Sequence, residues 1–287
     1  MTHPARSRWT RPSRRLTALG VVLTGALLLT GCSAETTQQW KRLGLPPGAS
    51  DRTDNVESFW VGTWIAALII GVMVWGLILY AVVRYRRRDE AAPKQVRYNL
   101  PLEALYTLAP FAIIGALFFW TETVGDKAVA MTDHPAHTIN VVGQQWQWTF
   151  NYGDQVPGES EKGVWETGTL AEPATLWLPV NESIQFDLTS PDVIHSFWVP
   201  SFYFKRDVIP GRTNTFQLTP TKTGTFAGKC AELCGLYHSR MTFTVKVVSP
   251  AEYAAHLADL AAKGQTGAAV GGKDATTISG NNPEGEK

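Results

Sequence analysis

Only three cysteines occur in 287 residues, at positions 32, 230 and 234. An odd number spaced so unevenly excludes a disulfide framework as the organising device, so separate roles have to be sought for them. None belongs to a Cys-x-x-Cys-His stretch, the spacing that holds haem covalently, so no such attachment is encoded in these residues. Net charge is almost absent as well, at +1, and nothing suggests a nucleic-acid partner. Charged side chains are missing altogether from three stretches within the first 125 positions: Leu16–Leu29, Trp60–Val83 and Ala104–Thr121. These stretches divide the chain more sharply than its average of 44% hydrophobic residues suggests.

The first stretch follows Arg6, Arg8, Arg11, Arg14 and Arg15, with no acid among residues 1–15. A basic front followed by an apolar run too short to span a bilayer comfortably reads as an export signal. It closes on Leu29-Thr30-Gly31-Cys32, small residues ahead of a cysteine. The second stretch has 24 positions, roughly 36 Å as a helix at ~1.5 Å per residue, enough to cross the hydrocarbon core. The third carries Pro110 in its first half and Phe118, Phe119 and Trp120 at its far end. Between them, residues 84–103 hold six Lys/Arg against Asp89, Glu90 and Glu103. The positive-inside rule puts that loop in the cytoplasm and everything after residue 125 outside. Export signal and loop charge thus agree independently.

From Ala136 the period changes from helical to strand-like. Short β-rich runs are predicted around Val141–Phe150 and at Thr175–Pro179, Ser183–Ser190, Thr213–Thr219, Thr223–Gly228 and Met241–Val248, punctuated by turns such as Pro210-Gly211. Strands without intervening helices imply a sandwich or barrel. Residues 154–166 read as a polar excursion, Ala251–Ala262 as a helix, and everything from Lys263 as a tail too polar to sustain a core. From Gly125 to Ala262 there are 14 Asp/Glu against 9 Lys/Arg, a net of −5.

The chemistry concentrates in Cys230-Ala-Glu232-Leu-Cys234-Gly-Leu-Tyr-His238-Ser-Arg-Met241. Two thiols, an imidazole and a thioether fall within twelve residues, and a second imidazole, His195, stands 35 residues before Cys230. Soft sulfur with imidazole suits copper, whereas hard cations want oxygen. A disulfide between the two cysteines would leave the His and Met spacings as coincidence. A structural zinc site would have no use for the methionine. A mononuclear blue-copper site needs one cysteine, and two thiolates invite a bridged pair of metals.

Cys-x-Glu-x-Cys-x3-His-x2-Met with the distant His195 is similar to the binuclear CuA motif of cytochrome c oxidase subunit II. The stretches Ser190-Pro-Asp-Val-Ile-His195-Ser, Ile209-Pro-Gly-Arg212 and Gly143-Gln-Gln-Trp146-Gln-Trp148 also resemble that family, and with the two spans the likeness covers Val56 to Val248. The resemblance implies a two-span transmembrane α-helical hairpin followed by an all-β, cupredoxin-like Greek-key sandwich. The implied layout is a signal peptide at 1–31, an exported segment at 32–55, the hairpin at 56–124, the CuA domain at 125–250, a helix at 251–262 and a disordered tail at 263–287. It implies that Cys230 and Cys234 bridge two coppers, that His195 and His238 ligate one each, and that Met241 and the backbone carbonyl of Glu232 complete the set. The Glu232 side chain would reach a magnesium shared with subunit I. Trp146 would receive electrons from cytochrome c, Glu103 would stand at the mouth of a proton channel, and Cys32 would be lipidated as in bacterial lipoproteins. Plainer roles exist for three of these: sheet stacking for Trp146, helix capping for Glu103, and an ordinary signal peptide around Cys32.

The expected function is that of a bacterial cell-membrane subunit passing electrons from cytochrome c to haem in subunit I, where oxygen is reduced with proton translocation. Partners would be subunits I and III, cytochrome c free or tethered, membrane lipid and, in a supercomplex, a cytochrome bc complex. The acidity of the exported part would steer a basic haem protein. A Sco-type copper chaperone would have one span and βα alternation, a quinol oxidase subunit lacks the copper ligands, and a nitrous oxide reductase lacks the hairpin.

Overall fold

The computed structural model of the chain describes residues 34–88, 92, 95–153 and 163–269. Two compact units make it up, Met1–Leu45 and Pro46–Lys287. In the first, helix α1 (Ala34–Lys41) is followed by Arg42, whose guanidinium pairs with Glu35 at 3.2 Å. The predicted signal peptide and Cys32 lie outside the described residues.

The second unit begins with two long helices, α2 (Thr53–Arg84) and α3 (Leu100–Val129). Both are long and apolar enough to cross a membrane, and the most apolar stretch of each is wholly unburied. A helix satisfies its own backbone, so such a segment needs only an apolar solvent around it. They touch where Trp120 meets Phe59 edge to face at 5.2 Å. Gly62 permits this, because a Cβ there would lie 2.2 Å from the Trp120 ring. The helices overrun the expected 56–124 at both ends. Polar residues at those ends, Asp54 and Asn55 at one and Glu122, Asp126 and Lys127 at the other, continue the helical ladder past the apolar stretch.

Among the described residues, ten strands follow in two five-stranded sheets. The first holds β1 (His137–Gln144), β2 (Gln147–Tyr152), β3 (Val164–Thr167), β5 (Ile184–Thr189) and β8 (Asn214–Leu218), in the order β3-β2-β1-β5-β8. The second holds β4 (Thr175–Pro179), β6 (His195–Val199), β7 (Phe204–Val208), β9 (Gly224–Cys230) and β10 (Thr242–Val248), in the order β4-β10-β9-β6-β7. Pairing is antiparallel except for β1 with β5 and β4 with β10. Alternate residues point inward, and their rings interlock: Phe186 stacks on Phe216 at 4.8 Å, Phe197 on Phe243 at 5.0 Å, and Phe150 meets Phe243 across the layers at 5.6 Å. The expected hairpin followed by an all-β sandwich is the observed architecture.

Helix α4 (Pro250–Ala262) opens with a capping box in which Ser249 and Glu252 exchange hydrogen bonds, and buries Tyr253, Leu257 and Leu260. Two expectations need correction. Val164–Thr167 is a strand, so the polar excursion ends earlier than 166. Residues 263–269 are not a structureless tail. Trp165 N–H donates to Gln265 O at 3.0 Å, Gly267 N–H donates to Gly163 O at 2.9 Å, and Ala269 N–H donates to Asn151 Oδ1 at 2.8 Å. The edge strand β3 has free backbone groups, and these satisfy them where composition alone offers no core.

Candidate metal centre

Three connections converge at one end of the sandwich. The β9–β10 loop carries Cys230 through Met241, β6 opens with His195, and the β1–β2 turn carries Gln145 and Trp146. Cys230 N–H donates to Met241 O at 2.9 Å, closing the loop at its base, and Ala231 N–H donates to Ser196 O at 3.0 Å, fastening it to β6. Gly235 takes φ +120°, where a side chain would be strained, and a Cβ would lie 3.1 Å from the Trp146 ring. The loop can therefore tuck beneath the tryptophan.

The six expected ligands are brought together. Cys230 and Cys234 are buried free thiols with sulfurs 3.8 Å apart. His195 Nδ1 lies 3.9 Å from Cys230 Sγ, and His238 Nδ1 lies 3.6 Å from Cys234 Sγ. Met241 Sδ is 3.8 Å from Cys234 Sγ, and the Glu232 carbonyl oxygen is 3.2 Å from Cys230 Sγ. The nearest nitrogen, sulfur and oxygen atoms thus face one another within about 4 Å. The Glu232 side chain turns outward, exposed.

Asp192 fixes one imidazole and was not singled out by sequence reasoning. Its Oδ1 lies 2.8 Å from His195 Nε2, and its Oδ2 accepts the Gln145 N–H at 2.6 Å. Both side chains are fully buried. A carboxylate on the far nitrogen fixes the ring so that Nδ1 points at the sulfurs, the usual support of a metal-binding histidine. The signal for it was present: Asp-x-x-His puts the carboxylate three residues before the imidazole in a tight turn.

Protonation follows from these contacts. Burial alone would raise the Cys230 thiol, yet the His195 imidazole and the Glu232 and Ser196 backbone bring it down to about 6. Burial and the neighbouring Cys230 sulfur push Cys234 up to about 12. Burial disfavours the His195 cation, but Asp192 and the Cys230 sulfur together outweigh it and hold the imidazole above its ordinary range. Burial would also raise Asp192, and its hydrogen bonds to His195, Gln145 and Val193 keep it below the usual carboxylate range instead. One sulfur is thus ready as a thiolate, and the second needs a metal cation to displace its proton.

Trp146 is half-buried over the loop. Its indole N–H donates to Cys234 O at 3.2 Å and its ring meets Tyr237 edge to face at 5.0 Å. Gln145 Nε2 donates to the same carbonyl at 2.8 Å. Leu233, Leu236 and Ile194 stand exposed on the loops at this end. On another side, Cys230 and His238 line a cavity of about 530 Å³ with Trp198, Lys205 and Lys229. Trp148, by contrast, is core, packed on Phe197 and Phe243. Glu103 is not part of this cluster. It caps α3 together with Asn99, its Oε1 accepting the Asn99 N–H at 2.9 Å while Asn99 Oδ1 accepts from Leu102 N–H.

The fold and cluster together define a membrane-anchored, cupredoxin-like protein whose sulfur and imidazole donors suit copper. Residues 137–248 match the family model described as the periplasmic domain of cytochrome c oxidase subunit II, and residues 38–121 match the model for its transmembrane domain. The chain belongs to the cytochrome c oxidase subunit II family. A probable cytochrome c oxidase subunit 2 from Streptomyces coelicolor is 45% identical over 290 residues, covering 90% of each chain. The cytochrome c oxidase subunit 2 of Mycobacterium tuberculosis strain H37Rv is 35% identical over 305 residues, covering 86% of this chain and 82% of its own. A crystal structure of the periplasmic domain of subunit II of cytochrome oxidase from Bradyrhizobium japonicum is 32% identical and covers 46% of this chain and 99% of its own, with a TM-score of 0.40. The protein is thus a haem–copper oxidase subunit, with two membrane-spanning helices and an extracytoplasmic β domain.

Proposed function

We propose that this chain receives electrons from cytochrome c and delivers them to haem in subunit I of a bacterial cell-membrane oxidase, where oxygen is reduced to water and protons are moved. The observation that carries the reading is the convergence of His195, Cys230, Glu232 O, Cys234, His238 and Met241, with both thiols free and 3.8 Å apart. These residues would hold two coppers, Cys230 and Cys234 shared between them, His195 and His238 one to each. A bridged copper pair supplies a one-electron carrier whose charge change is spread over both ions. The protein's part is to keep that cage still. Asp192 fixes His195, Gln145 and Trp146 fix the Cys234 carbonyl, and both strands that frame the loop belong to one sheet.

Trp146 would take the incoming electron, since it is half-exposed and hydrogen-bonded to the backbone of a ligand. The outward Glu232 carboxylate would share a magnesium with subunit I, and Glu103 would stand at a proton-channel mouth besides capping its helix. Subunit III, membrane lipid and a cytochrome bc complex complete the proposed surroundings, with Cys32 carrying the lipid. The test is the electron paramagnetic resonance spectrum of the copper-loaded chain. One unpaired electron coupled equally to two copper nuclei is expected, and its loss in Cys230→Ser and in Cys234→Ser. A lone copper, zinc, or an unchanged spectrum in either variant would sink the reading.

A further inference from the structure

The β domain is joined to the hairpin by more than covalent linkage. The segment before α2 lies against the sandwich: Ala49 N–H donates to Ser201 O at 2.8 Å, Thr221 N–H donates to Ala49 O at 2.9 Å, and Asp51 N–H donates to Thr219 O at 2.9 Å. Arg52 then enters the first turn of α2 with its side chain only 13% exposed. Its guanidinium donates to three backbone carbonyls on two other elements. Two belong to the end of α3, Lys127 O and Ala130 O, the latter at 2.7 Å. The third is Gln217 O on β8, at 3.2 Å. Gln217 is itself buried and holds the chain leaving α3 from both sides, accepting the Thr132 N–H at 2.7 Å and donating to Thr132 O at 2.9 Å.

We infer that Arg52, seconded by Gln217, is a positioning residue that fixes the orientation of the copper domain on the membrane hairpin, and so governs electron delivery toward the membrane partner. The inference rests on the proposed electron-transfer function. The chemistry fits the place. The last carbonyls of a helix lack intrahelical partners and carry its negative end, and a cation there meets both needs. A planar guanidinium with five donors can serve three divergent carbonyls at once, which a lysine head on its flexible stem cannot match. Arg52 starts α2, the carbonyls it grips end α3, and β8 is the sandwich edge above them. One side chain therefore ties both spans to the sheet, while the proposed metal ligands sit on and beside strands of the facing sheet in the same sandwich. A loose joint would leave the cage intact and let the whole domain rock. The rate of electron transfer between two centres falls with their separation, so a rocking domain delivers electrons more slowly on average.

The experiment uses the assembled oxidase carrying Arg52→Ala and, separately, Arg52→Lys. Copper content, the copper spectrum and the rate of copper reduction by cytochrome c are expected to stay at wild-type values. Onward transfer from copper to haem is expected to slow several-fold in both variants. Hydrogen exchange across residues 127–133 should speed up in parallel. Wild-type onward transfer with unchanged exchange would overturn the inference. So would a matching loss of copper signal and of both transfer steps, which would make Arg52 a general stabilising contact only. If the wild-type complex lacked copper-centred electron flow, the functional reading would fail instead, and the exchange measurement would still decide whether Arg52 anchors the joint.

Discussion

The hairpin and the sandwich use similar apolar side chains in opposite ways. Phe111 on α3 is 73% exposed, whereas Phe243 on β10 is 3% exposed and packed against three other aromatic rings. In the sandwich the protein provides its own apolar surroundings, and burial there removes area from water at about 25 cal/mol per Å². In the hairpin the bilayer provides them, and lipid tails are as apolar as the side chains that face them. The difference teaches where a rigid metal cage can be built. Only the self-packed half specifies each neighbour atom by atom, and the donor cluster lies there.

Substitutions in each half sharpen that contrast. Phe243→Ala should have the largest effect, costing the sandwich about 3–5 kcal/mol because its neighbours on both sheets cannot close the gap. Chemical denaturation followed by tryptophan fluorescence would measure it. Asp192→Asn should leave the fold intact but lower copper affinity by about 10–100-fold, since His195 loses the carboxylate that orients it. A competition titration with a copper chelator reads this directly. Phe111→Ala on the exposed face of α3 should have the smallest effect, within about 0.5 kcal/mol of wild type. A thermal scan of the detergent-solubilised complex checks it, and a loss there as large as for Phe243→Ala would break the comparison.

Much of this was legible in the residues. The two spans announce themselves by the absence of charge, and the donor cluster by sulfur and imidazole at close spacing. What escaped was whatever lacks a period. β6 (His-Ser-Phe-Trp-Val) is buried on nearly every residue, so it shows no alternation. β7 has Lys205, Arg206 and Asp207 at its centre, and reads as a loop until it is seen as an edge strand. β3 has four residues after a polar stretch. The roles of Asp192 and Arg52 depend on partners distant in space. Arg52 contacts carbonyls 75 and 165 positions away, and backbone carbonyls carry no mark in a sequence.

The strap formed by residues 265–267 along β3 bears on crowding. An uncovered outer strand is a template on which a neighbouring chain can add its own, and copies held in one plane of a bilayer meet far more often than copies in free solution. By seating Gln265 and Gly267 on that margin, the chain closes the site before a second copy can use it. Lateral density in the membrane can then rise without the exported domains knitting together.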